Sequence, residues 1–78
     1  MTTWSDETPH LSLDCLGMKC PRPIIELARS IDQIPVDGLI EVLADDPAAA
    51  FDLAAWCRMR DQQLVSAEGS RFLVRRLV

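Results

Sequence analysis

Eleven residues, Leu13 to Pro23, constrain this chain most, because they end one element and start the next with little room for a loop. The residues before them alternate. Leu11, Leu13 and Cys15 fall on one side, and His10, Ser12 and Asp14 on the other, which is the pattern of a half-buried strand. Gly17 supplies the turn that follows. Pro21 suits the first position of a helix, where proline has no N–H to lose and its φ is already near the helical value. Pro23 stiffens the same turn without cost to the helix. The segment therefore reads strand, glycine turn, helix start, with Cys20 at or beside the N-cap.

That location gives Cys20 a chemical expectation. Free N–H groups and the positive end of the helix dipole should face its sulfur. Lys19 and Arg22 add cations on either side. Each effect favours thiolate over thiol, so a lowered pKa is expected. The plainer reading is a buried structural cysteine beside a proline helix start, since free cysteine is among the most buried residue types. On residues alone both readings stand.

The rest of the chain follows in order. Pro21 to about Ile34 is expected to be a helix, with Ile24, Leu27, Ala28, Ile31 and Ile34 forming its apolar stripe. Pro35 and Gly38 bracket the exit loop. Leu39 to Ala44 is apolar apart from Glu41 and reads as a central strand. Asp46 is a good N-cap with Pro47 at the first helical position, so a second helix is expected from Pro47 to about Arg60. Its stripe is expected to be Ala50, Leu53, Ala54 and Cys57, with Phe51 and Ala55 beside it. Gln63 to Glu68 and Arg71 to Val78 are two strands joined at Gly69-Ser70, most simply by a type II′ turn. The order βαβαββ predicts an α/β (α+β) two-layer sandwich, with a parallel first βαβ unit and both helices on one face of the sheet. Residues 1–9 are polar and expected to be a flexible tail in which Trp4 is loosely held, and residues 10–78 to be one domain.

The string Leu-Asp-x-x-Gly-x-x-Cys-Pro-x-Pro resembles the signature of the TusA (SirA-like) family of small sulfur carrier proteins. The similarity runs from about His10 to Val78 and includes Asp45-Asp46-Pro47 after the second strand. The resemblance implies a mixed four-stranded sheet in order 1-2-4-3. It also implies that Cys20 takes up sulfane sulfur as a persulfide and hands it on, as a sulfurtransferase-type relay rather than a stand-alone enzyme. A cysteine desulfurase or rhodanese-type donor would stand upstream. A sulfur-accepting protein would stand downstream, in tRNA thiolation, molybdenum-cofactor work or sulfur oxidation. Cys15 departs from the family pattern, where that slot is usually not a thiol.

Around Cys20, the residues expected to support the site are Asp14, Gly17, Lys19, Pro21, Arg22 and Pro23. Asp14 is expected to fix the turn by bonding to backbone. Met18, Lys19 and Arg22 are expected to meet the partner, with Arg29 further along the helix, because an exposed thioether and two cations suit a docking surface. Cys15 and Cys57 are expected in the core. Asp45 is expected to be a solvated loop acid, and Arg71, Arg75 and Arg76 solvated edge charges. His10 reads as a solvent-facing strand residue.

Composition narrows the classes further. A net charge of -4 argues against general nucleic-acid affinity. No apolar run is long enough to span a bilayer, and the first residues do not read as a secretory signal. Three cysteines without scaffold spacing imply free thiols in a reducing cytoplasm. Cys-x4-Cys is too wide for a usual zinc knuckle, and His10 is the only histidine, so neither metal nor cofactor is expected. Two rivals to a sulfur carrier remain. One is a thiol–disulfide redox protein that uses Cys15 and Cys20. The other is a non-catalytic interaction module.

Overall fold

The computed structural model describes residues 8–78. Of the tail expected over residues 1–9, residues 1–7 and with them Trp4 lie outside the described residues. The elements run β1 (Leu11–Asp14), α1 (Arg22–Ser30), a 3-10 turn (Ile31–Gln33), β2 (Leu39–Leu43), α2 (Ala49–Met59), β3 (Gln63–Glu68) and β4 (Arg71–Arg75). The sheet order is β1-β2-β4-β3, with β1 parallel to β2 and the other neighbours antiparallel. This is the mixed four-stranded, two-layer fold expected.

The strand alternation explains the layering. Ile40, Val42, Phe72 and Val74 are buried together with Leu27, Ile31, Leu53, Trp56 and Cys57 in one cluster, and Leu11, Leu13 and Leu64 pack against it. The sheet therefore gives one face to both helices. The other face carries a polar ladder across three strands. The Ser12 hydroxyl donates to Glu41, and Arg71 donates to the other Glu41 oxygen. These contacts hold the Glu41 carboxyl below its usual range, the Arg71 bond being the largest cause and the Ser12 bond the next.

Two helices differ in detail from the periodicity. Helix α1 buries Pro23, Leu27 and Ser30, with Ile31 and Ile34 continuing the face, while Ala28 is exposed and Ile24 half-buried. Its last turn tightens into the 3-10 segment rather than running on as α-helix to Ile34. Helix α2 begins two residues later than expected, at Ala49. Asp46 caps the lead-in turn instead, accepting the Ala48 N–H on Oδ1 at 2.8 Å and the Ala49 N–H on its carbonyl at 2.9 Å. The buried face is accordingly Ala49, Leu53, Trp56 and Cys57. Ala50 is exposed and Phe51 is 83% exposed. Trp56 is the larger apolar body, and turning it inward turns Ala50 and Phe51 out.

The hairpin falls where Gly69-Ser70 put it. Gly69 has φ +58°, the left-handed value that a type II′ turn requires at its first central residue. β4 ends at Arg75 rather than Val78. Beyond it, the Arg76 N–H donates to the Gly38 carbonyl and the Asp37 N–H to the Arg76 carbonyl, at 2.9 and 2.6 Å. The Leu77 N–H donates to Gln62 Oε1 at 2.6 Å.

The arginines of this last segment are tied into the fold. Arg71 pairs with Glu41. Arg75 donates to the Asp37 carbonyl at 2.8 Å, and Arg76 to the Ile34 carbonyl at 2.6 Å. They brace an inner strand and the α1–β2 loop: β4 lies between β2 and β3, so these are not the solvated edge charges expected.

Candidate functional site

Parallel pairing of β1 with β2 sets Asp14 beside Leu43, so the loops leaving these strands emerge together. The β1–α1 loop is then held by three aspartates. Asp14 Oδ1 accepts the Leu16 N–H at 3.2 Å, the expected local turn bond. From the neighbouring loop, Asp45 Oδ1 accepts the Gly17 N–H at 3.0 Å, and Asp46 Oδ2 accepts the Cys20 N–H at 3.4 Å. Asp45 is thus a strut for the site loop, not the free solvated acid expected. Gly17 sits at φ +80°, which only glycine adopts readily.

Cys20 follows this turn and is exposed, whereas Cys15 and Cys57 are 1% and 3% exposed. All three are free thiols. The Cys20–Pro21 peptide is cis, and α1 begins one residue later than expected, at Arg22. Pro21 is exposed at the helix mouth and Pro23 is buried beneath it. Lys19 and Arg22 are exposed on the segment that carries the thiol. Arg29 is exposed and lies 4.0 Å from Glu26.

The electrostatics differ from expectation. Of the first three helical positions, Pro23 has no N–H and the Arg22 N–H is taken by the Lys19 carbonyl at 2.8 Å. Few donors of the turn are left for sulfur. The Cys20 thiol instead donates to Asp52 Oδ2, from the first turn of α2. That bond pushes the thiol pKa up, and the Asp52 and Asp46 charges add in the same direction. The contact thus favours the thiol of Cys20 over the thiolate that the flanking cations suggested.

Burial pushes the other two thiols up as well, Cys57 to about 11. For Cys15, burial comes first, followed by the charges of Glu26 and Asp14, with Arg22 opposing. Both sit in the core, as expected.

Met18 is a correction. It is half-buried and packs against the core cluster, so its thioether is not the free docking group expected. A flexible methionine adapts readily to such a partly buried position against a small core. The apolar surface beside the thiol comes from elsewhere. A groove of about 250 Å³ runs from Cys20 between Pro21 and Ile24 on one side and Asp52, Ala55, Trp56 and Met59 on the other. Met59 is 75% exposed at its wall.

Asp52 and the groove were missed from sequence. An acid in the first turn of a helix ordinarily answers the helix dipole, and that reading needs no partner. The one available signal was spacing: Asp52 falls one residue before Leu53 and four before Trp56, which puts it at the rim of the buried face.

Among the described residues, no cluster of three or more His, Cys, Asp or Glu side chains could hold a metal. Among them, too, no helix is long and apolar enough to cross a membrane.

An exposed cysteine at the mouth of α1, in a two-layer α+β fold, defines a small thiol protein. A family model described as sulfurtransferase TusA matches residues 11–76 of the 78-residue chain. The chain belongs to the TusA sulfurtransferase family. Membership assigns it a sulfur-carrier or sulfurtransferase role and implies sulfur-relay partners in general.

Proposed function

We propose that residues 10–78 form a sulfur-carrier domain in which Cys20 accepts sulfane sulfur as a persulfide and relays it to an acceptor protein. The observation that carries this reading is the contrast in exposure: Cys20 is open to a partner, while Cys15 and Cys57 are sealed in the core. In uptake, the Cys20 sulfur attacks the outer sulfur of a donor persulfide. The donor S–S bond breaks, a new S–S bond forms at Cys20, and the Cys20 proton ends on the departing donor thiol. No net oxidation occurs, so no cofactor enters the step. Hand-over is the same exchange in reverse, with an acceptor thiol as nucleophile.

A cysteine desulfurase or a rhodanese-type protein fits as donor. A thiol-bearing protein on a sulfur-trafficking route such as tRNA thiolation fits as acceptor, in a reducing cytoplasm. Lys19 and Arg22 flank Cys20 in sequence, are exposed, and are suited to steer acidic partner surfaces. Gly17, Asp14, Pro21 and Pro23 serve by fixing the loop. Burial of Cys15 weighs against a resolving thiol that would turn the protein into a dithiol redox cycle.

Mass spectrometry after incubation with a persulfide donor tests the reading. A carrier gains one sulfur on the Cys20 peptide. A dithiol redox protein loses two hydrogens across Cys15 and Cys20. Neither change is expected of a plain interaction module.

A further inference from the structure

Within that carrier reading, one contact is not explained by the fold. The Asp52 carboxylate reaches from α2 to the sulfur of Cys20 on the β1–α1 loop, across the mouth of the groove. We propose that Asp52 is a positioning residue that holds the Cys20 sulfur as a hydrogen-bond donor, keeping the carrier a slow nucleophile until that carboxylate is neutralised.

The geometry gives the reason. A carboxylate accepts a hydrogen bond from a thiol but repels a thiolate at the same distance, so the contact favours the protonated form. Asp46 stands on the same side, its Oδ2 accepting the Cys20 N–H at 3.4 Å. The charges that face the sulfur are therefore Asp52 from α2 and Asp46 from the β2–α2 loop, with Lys19 and Arg22 on the cysteine's own segment. The direction of the thiol pKa, upward with the Asp52 bond as its largest cause, agrees with this balance.

A thiol held in this way resists alkylation and oxidation while the carrier is free. A donor that brings a cation to Asp52 on docking removes the restraint at the moment of attack. A small persulfide of net negative charge docks no cation there. It must therefore load the native protein slowly and an Asp52→Asn protein faster.

The experiment uses the full chain and two readouts. The first is the pH profile of iodoacetamide alkylation at Cys20, for the native protein, Asp52→Asn and Asp52→Glu. The midpoint is expected to fall in Asp52→Asn and to stay near the native value in Asp52→Glu. Thiolate fraction rises about tenfold per unit, and the weaker intrinsic nucleophilicity takes back about half of that on a log scale, so alkylation near neutral pH should rise about threefold for each unit by which the midpoint falls. The second readout is mass gain from glutathione persulfide at neutral pH: glutathione persulfide plus the Cys20 thiol gives the Cys20 persulfide plus glutathione. Uptake should quicken in Asp52→Asn by a similar factor.

An unchanged midpoint in a folded Asp52→Asn protein overturns the proposal, as does a loss of stability with no movement of the profile. Asp52→Ser is read by the same criterion if the asparagine variant does not fold. A lowered midpoint with no sulfur gained by either protein leaves the Asp52 assignment standing and removes the carrier reading. Equal sulfur uptake with equal midpoints does the opposite.

Discussion

The Gly17 N–H donates to Asp45 Oδ1 over 3.0 Å and ties the loop after β1 to the loop after β2. The bond joins residues 28 apart in sequence and lies one turn ahead of Cys20. Removing it should loosen the loop that aims the sulfur. Asp45→Ala is expected to lose about 1 kcal/mol, the usual net worth of such a bond where water can replace part of it. Urea denaturation measures the loss. Sulfur loading of Cys20 should slow in the same variant. Normal stability with normal loading would make Asp45 an ordinary surface acid.

Gly17→Ala separates backbone strain from crowding at the same turn. A Cβ at Gly17 meets no heavy atom within 4 Å, so no clash is created. The φ of +80° remains, and holding an alanine there costs about 1–2 kcal/mol. Gly17→Asn should cost less, because asparagine tolerates left-handed backbone better than alanine does. Thermal melts of the two variants should rank in that order. Equal melts would show that the turn relaxes to another conformation.

Much of this architecture was legible because local signals agreed. The alternation of Leu11 and Leu13, the apolar run at Leu39–Leu43 and the Gly69-Ser70 turn each pointed to the element observed. The rotation of α2 was harder. Alanines dominate its sequence, so small residues offered several equivalent stripes, and only packing chose the one containing Trp56. The position of Cys20 was legible from Cys-Pro-x-Pro, but its electrostatics were not. Lys19 and Arg22 are neighbours in sequence, whereas Asp52 comes from 32 residues away. Contact between the β1–α1 loop and α2 is tertiary, so no local pattern announces it. Met18 was illegible for a related reason: no stripe claims it locally, yet the tertiary fold packs it against the core.

Cys57 should matter to stability and Cys20 should not. Cys57 is 3% exposed in the core, where a serine hydroxyl would be buried without a designed partner. Cys57→Ser is expected to cost about 1–3 kcal/mol. Cys20→Ser should melt near the native temperature and take up no sulfur. The Cys57 thiol also sets an alkaline edge. Its folded-state pKa is raised to about 11 from the ordinary 9.0, so the folded form binds its proton more tightly than the unfolded chain does. That contribution is complete below about pH 9 and is lost as pH rises towards 11. Melts across that range should fall more steeply for the native protein than for Cys57→Ala. Parallel slopes would place the alkaline loss on other groups, Cys15 first among them.

Charge reversal at Lys19 and Arg22 tests how partners reach the thiol. Both side chains are exposed on the segment that carries Cys20. The other side of the sulfur is acidic, with Asp46 and Asp52 in direct contact with the Cys20 residue. The site is therefore a boundary between two signs of charge, and a partner that docks across it must match both. Exposed cations act mainly on encounter, and salt screens them over about 10 Å at 0.1 M. Lys19→Glu with Arg22→Glu should leave the fold intact, because neither side chain is buried. Transfer from the loaded carrier to a purified acceptor should become slower, and less sensitive to added salt, than in the native protein. The alkylation midpoint of Cys20 should change little by comparison with Asp52→Asn, since Asp52 bonds the sulfur itself. A transfer rate that stays the same across a range of salt would remove Lys19 and Arg22 from the docking surface. It would move the docking surface to the groove that opens at the thiol, lined by Ile24, Ala55 and Met59.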